Sequence, residues 1–259
     1  TKISASLSEQ TIEATIGIND TNIDLKLYAN ANLHDSTNTY TANINIGKLN
    51  LSDFGILKTE KDTNIMLSTQ ITANIEGNEF DDLCGNILLE NTKIKLNDND
   101  SIYTQTIAFA ARELNNYTNI TLNCSDFLDF ETKGYFEYSD FATITQKILN
   151  SYVPNNYNPF YLKDKAENIK PTDAEFNFML QITDTSNLIL SKIVPGLFVA
   201  ENTVFEGSYN YTESLKFKFN STLVALNSLV LDNLTIDGQG YNDAYTIKIT
   251  SPKFFTENI

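Results

Sequence analysis

Apolar and polar residues alternate along most of this chain with a period of two, the spacing that places one set of side chains on each face of a β-strand. Ile12, Ala14, Ile16 and Ile18 alternate with Glu13, Thr15 and Gly17, and Asn19-Asp20 then supplies a turn. Ile23, Leu25, Leu27, Ala29, Ala31 and Leu33 share the next face, opposite Asp24, Lys26, Tyr28, Asn30 and Asn32. Further runs follow at Tyr40, Ala42, Ile44 and Ile46, and at Ile65, Leu67, Thr69, Ile71, Ala73 and Ile75. The last of these would extend about 35 Å at roughly 3.3 Å per residue, longer than a typical strand. Short turns between such strands favour an antiparallel meander. The expected fold class is therefore mainly β, a long antiparallel sheet.

The pattern continues through Ile87 and Leu89, Ile94 and Leu96, Ile107 and Phe109, Ile120 and Leu122, and Phe130 to Tyr138. It resumes with Ala174, Phe176, Phe178, Leu180 and Ile182, then Phe205 to Tyr211, then Leu215, Phe217 and Phe219, and ends with Leu229, Leu234, Ile236, Ile247 and Ile249. Three segments depart from it. Ser139-Asp140 can cap an amphipathic helix with Phe141, Ile144, Ile148, Leu149 and Tyr152 on one stripe, stopped by Pro154. Asp184 to Val194 reads as a shorter helix, and Leu51 to Lys58 as a turn or two. The polar stretch from Val153 to Pro171 reads as a linker. These divide the chain into a first β segment over 1–139, a helix and linker over 140–170, and a second β segment over 171–259. Residues 102–127 also overlie 229–254 without a gap, Ile107 on Leu234 and Ile120 on Ile247, so one supersecondary unit recurs.

Composition narrows the functions. With 18 basic and 33 acidic residues among 259, the chain carries a formal charge of −15, which repels a nucleic-acid backbone. No stretch reaches the roughly 20 apolar residues of a membrane helix, so no membrane-spanning segment is expected. Cys84 and Cys124 are too few for a disulfide framework, and strands two or three apart lie beyond disulfide reach. The single histidine, His34, sits in a turn composition; the carboxylates Asp81-Asp82 and Asp98 with Asp100 also read as turn residues. Nothing points to a catalytic residue, a metal site or a cofactor, and the expectation is that the chain is not an enzyme. Both ends read as cuts within a longer protein.

The run from Ile46-Gly47-Lys48-Leu49-Asn50-Leu51 through Ala73-Asn74-Ile75-Glu76-Gly77, Asp82-Leu83-Cys84-Gly85-Asn86-Ile87 and Tyr135-Phe136-Glu137-Tyr138 resembles the periplasmic repeats of TamB/AsmA-like proteins of the Bacteroidetes. So do Ile193-Val194-Pro195-Gly196-Leu197 and Leu231-Asp232-Asn233-Leu234-Thr235-Ile236 in the second half. Cys84-Gly85 departs from the Asn-Gly expected there. The resemblance implies a β-taco, a curved sheet forming an open apolar groove that shelters phospholipid acyl chains. It implies transport between inner and outer membrane, with a role in outer-membrane protein assembly. It also implies an inner-membrane anchor helix outside this chain and an outer-membrane partner of the BamA type. The groove lining it implies is Ile12, Ile16, Leu25, Leu27, Ile44, Ile46, Ile65, Leu67, Ile71, Ile75, Ile107, Phe109, Ile120 and Leu122, and in the second half Phe176, Phe178, Phe217, Phe219, Ile247 and Ile249. The alternative from another class is a structural or adhesive β-rich repeat of a cell-surface protein. A β-helix lyase is a distant third.

Overall fold

A computed structural model describes residues 1–33, 36–53, 65–96, 100–125, 127–141, 143–144, 173–183, 190–191, 194–211, 214–241 and 244–256, and among these described residues there are sixteen strands and almost no helix. The strands follow one another as hydrogen-bonded neighbours from β1 to β10, then β12, β13, β14 and β15, with β11 beside β13 and β16 beside β14. Several neighbours are joined by short reversals, such as those after β1, β2 and β7, as the alternation and its turns lead one to expect. Neighbouring strands pair antiparallel. Two compact units share the chain, residues 1–112 with 121–127, and residues 113–120 with 128–259.

In the first unit lie β1 (Lys2–Ser8), β2 (Thr11–Asn19), β3 (Ile23–Asn32), β4 (Thr39–Asn50), β5 (Met66–Glu76) and β6 (Cys84–Lys95). Most of β7 (Ser101–Leu114) and the end of β8 (Tyr117–Cys124) belong to it as well. The first reversal shows why the sequence turns where it does. The Asp20 amide donates to the Ile23 carbonyl at 2.8 Å and the Thr21 hydroxyl to the Asp20 carboxylate at 2.9 Å. That hydroxyl, with the Asn22 and Thr21 amides, holds the Asp20 carboxyl below the ordinary carboxylate range. Between β7 and β8, Asn115 and Asn116 both take left-handed backbone, φ 55° and 62°, the pair of conformations a two-residue hairpin turn with the right twist requires.

Alternation is not perfect, and its breaks are bulges. The apolar parity moves from Ile87 and Leu89 to Thr92 and Ile94 because Asn91, at φ 52°, inserts an extra residue opposite β5. A second shift, between Ile46 and Leu49, lets Leu49 face Leu67. The sequence reading did not anticipate the short 3-10 turn at Phe80–Asp82. There the Asp82 carboxylate accepts the Asn78 amide at 2.9 Å and the Glu79 amide at 2.8 Å, which gives the Asp81-Asp82 pair a structural use.

The second unit contains β9 (Leu128–Tyr135), β10 (Glu175–Ile182), β11 (Leu197–Val199), β12 (Val204–Asn210), β13 (Ser214–Leu226), β14 (Leu229–Tyr241), β15 (Ala244–Thr250) and β16 (Lys253–Thr256). Moved back by the 127-residue offset, β14 and β15 coincide with β7 and β8, so the recurring sequence unit is a long hairpin. At its end Ser251 bridges the break in pairing, its hydroxyl lying 2.8 Å from both the Asp232 and the Lys253 carbonyl oxygens, to either of which it can donate.

A helix begins after β9, but not at the cap read from the sequence. Residues 138–141 and 143–144 are helical, and the Glu137 amide donates to Asp140 Oδ2 at 2.9 Å. Glu137 is thus the capped position and Asp140 reaches back to it from inside the first turn, a geometry open to Asp as well as to the Ser-led motif. The rest of the stripe to Tyr152, the linker Val153 to Pro171, residues 184–189 of the second expected helix, and all of Leu51 to Lys58 beyond Asp53 lie outside the described residues, as do His34 and Asp98.

Two glycines sit where strands approach too closely for any side chain. A Cβ at Gly207 would meet the Lys216 carbonyl oxygen and the tip of the Phe178 ring, the latter at 2.6 Å, and one at Gly134 would meet the Phe176 Cα at 2.5 Å. In each case a phenylalanine lies across the glycine on the neighbouring strand, covering backbone that has no side chain of its own. Gly207→Ala is therefore expected to cost about 1–3 kcal/mol, the usual range for forced overpacking. Denaturant midpoints of the two proteins would measure it, and an unchanged midpoint would contradict the close approach.

Candidate apolar face of the first unit

Strand register turns the one-dimensional alternation into rows that cross the sheet. Ile3, Ile16, Leu27, Ile44, Ile71, Leu89 and Ile107 stand opposite one another on β1 to β7. The neighbouring row on the same face is Ala5, Ala14, Ala29, Ala42, Ala73, Ile87 and Phe109. Beyond it come Leu7, Ile12, Ala31, Tyr40 and Ile75. Five consecutive alanines thus form a low track between two rows that are mostly branched or aromatic. The sequence reading noted single alanines but not this row, because a row appears only once register is known.

Over β1 to β5 the other face is polar: Ser4, Thr15, Tyr28, Asn43 and Thr72 form one row, and Ser6, Glu13, Asn30, Thr41 and Asn74 another, which continue on β6 and β7 as Leu88 and Ala108 and as Asn86 and Ala110. This two-sided pattern would normally bury the apolar face in a core. Here Ile16, Leu27, Ile44, Ile71, Leu25 and Ile75 are only half-buried, and Ile12 on β2 and Ile3 and Leu7 on β1 are exposed, Ile3 at 70% and Leu7 at 73%.

Most full burial in this unit gathers at one end of the strands, with Ala111 buried at the other. Ile46, Leu51 and Ile65 are buried at the first of these ends beside Asn50, Thr69, Thr92, Thr104 and Cys124. The polar members satisfy one another: Thr69 and Thr92 hydroxyls are 2.8 Å apart, Thr104 lies 3.4 Å from Cys124 Sγ, and the Asn50 amide donates to Asp53 at 2.8 Å. No disulfide joins Cys124 to Cys84, two strands away. Leu67 and Phe109 are half-buried on the same face, as are Ile107 and Leu122.

The second unit fills its face with rings instead. Phe178, Gly207, Phe217, Gly238 and Ile247 form one row, and Phe130, Leu180, Phe205, Phe219, Ile236 and Ile249 the next. Ring centroids of Phe178 and Phe205 are 5.3 Å apart, those of Phe205 and Phe217 5.5 Å. Where the helix begins, Phe141 sits 4.9 Å from Phe136 and 5.4 Å from Phe176, and Phe176 stacks on Tyr209 at 5.5 Å. Ile144 is 3% exposed. The start of the helix thus packs Phe141 against these rings. On the last strands the face opens again, with Ile247, Ile249 and Phe254 exposed. Ile120, at the start of the unit, is buried.

Among the described residues no group of three or more His, Cys, Asp or Glu could hold a metal ion, and no helix is long and apolar enough to cross a membrane. No family model matches the chain, and neither a curated protein nor a solved structure does.

Proposed function

We propose that the chain is a periplasmic segment of a TamB/AsmA-like protein whose first unit shelters phospholipid acyl chains against its apolar face. The observation that carries this reading is the incompletely buried apolar face, with its alanine track on β1 to β5 and rows that cross seven neighbouring strands of the first unit. Six strand spacings of about 4.8 Å make a tract of roughly 29 Å, about the thickness of a bilayer's hydrocarbon core. A tail laid along it exchanges water for apolar side chains at about 0.8 kcal/mol per CH₂, and needs no catalytic group. Transfer between inner and outer membrane, assistance to outer-membrane protein assembly and a BamA-type partner belong to the same proposal. They rest on the family resemblance of the sequence.

The second reading, a structural or adhesive repeat of a cell-surface protein, is favoured by the second unit, where rings and the helix start fill part of the face themselves. Native mass spectrometry of the chain purified from a periplasm without detergent separates the two. Adducts with phospholipid masses, lost after solvent extraction while far-UV circular dichroism stays β, are the expected result. Lipid-free protein with an unchanged β spectrum would favour the structural repeat.

A further inference from the structure

The polar face of the first unit carries a groove that sheltering lipid does not use. It has a volume of about 730 Å³ and crosses β1 to β5. Its lining comes from three adjacent rows. Lys2, Gly17, Lys26, Asn45 and Gln70 form one and Ser4, Thr15, Tyr28, Asn43 and Thr72 another, while Ile3, Ile16, Leu27, Ile44 and Ile71 lie between them. Alternation puts the two outer rows on the same side of the sheet. The rows that would flank the isoleucines on the apolar side, beginning at Ala5 and at Ile18, take no part in the lining. The groove therefore opens on the polar face.

Three features give it chemical character. Gly17 stands between Lys2 and Lys26 in the same row, and a Cβ built there meets nothing within 4 Å, so the space over it is open. Among the described residues neither lysine ammonium group has a hydrogen bond or an ion pair, although the chain has 33 acidic residues and a formal charge of −15. Next to them the Tyr28 ring is 46% exposed, and the amides of Asn43, Asn45 and Gln70 are exposed around it. Two uncompensated cations across a gap, an accessible ring and a set of amides and hydroxyls are the groups that recognise an anion on a hydroxyl-rich molecule. Asp24, two residues before Lys26 and on the same face, stands opposite Lys48 in the next row; in the lysine row itself the nearest carboxylate is Glu90 on β6, beyond Asn45 and Gln70.

We propose that this groove binds a negatively charged sugar, with Lys2 and Lys26 holding the carboxylate or phosphate over Gly17 and Tyr28 stacking on the ring. The site is independent of the lipid reading, since it lies on the opposite face. Titration of the full chain by isothermal calorimetry with an oligouronate, a sugar phosphate and a neutral glucose oligomer tests it. Binding of at least one acidic sugar and not of the neutral oligomer is expected, and which acidic sugar binds tells the carboxylate from the phosphate. Lys26→Gln should weaken that binding about tenfold, the effect of losing one charge-assisted contact. Gly17→Leu fills open space, so it should abolish binding while leaving the circular dichroism and the denaturant midpoint unchanged. No binding of either acidic sugar at millimolar concentration, equal binding of the neutral oligomer, or full binding by folded Lys26→Gln or Gly17→Leu protein would overturn the proposal.

Discussion

Replacing Phe176 by alanine should destabilise the protein by about 3–5 kcal/mol, the range for deleting a buried aromatic ring. Phe176 is 7% exposed and touches three other rings, those of Phe136, Phe141 and Tyr209. Its removal leaves a cavity that the fixed strands on one side and the helix start on the other cannot both collapse into. Ile71→Ala, on the half-buried face of the first unit, deletes a side chain already partly in contact with water. It should cost less than about 2 kcal/mol, the low end for Ile→Ala. Denaturant unfolding of the two variants followed by circular dichroism makes the comparison. Equal losses would mean that both faces are closed cores, and the contrast drawn between the two units would be wrong.

The sequence carried the strands because period two is a local property. Ile12 to Ile18 became β2, and Tyr40 to Ile46 the body of β4. It also carried the bulges, although they were not read as such. The odd-numbered Ile87 and Leu89 are followed by even-numbered Ile94 and Leu96, and that change of parity marks the left-handed Asn91. Rows are another matter. That Ala14, Ala29, Ala42 and Ala73 stand side by side depends on hairpin registers set by turn geometry, and no single strand encodes it. The polar groove was hidden for the same reason: Lys2 and Lys26 are 24 residues apart in sequence and meet in one row only through Gly17. The helix start was legible as an apolar stripe. Its cap was not, because Ser139-Asp140 offers a plausible start and only the Glu137 amide shows where the first turn lies.

Ile44→Asp should remove bound lipid while leaving the protein folded. Ile44 stands in the middle of the first unit's apolar face, opposite Leu27 on β3 and Ile71 on β5 and one row from the alanine track. With lipid in place, a carboxylate there would be taken out of water against hydrocarbon, a cost of several kcal/mol that no neighbouring cation in its row repays. Without lipid the same carboxylate is reached by water, because the position is half-buried, and folding loses little. Asn43→Asp is the matched control, with the same added charge on the next residue, which faces the polar side and is exposed. The lipid-to-protein ratio measured by mass spectrometry should fall at least about tenfold in Ile44→Asp, corresponding to roughly 1.4 kcal/mol or more, and stay constant in Asn43→Asp. Lipid retained in folded Ile44→Asp protein would remove this face from the lipid path. Unfolding of Ile44→Asp with Asn43→Asp intact would show instead that the face is a closed core, since only a side chain sealed from water makes a single charge incompatible with the fold.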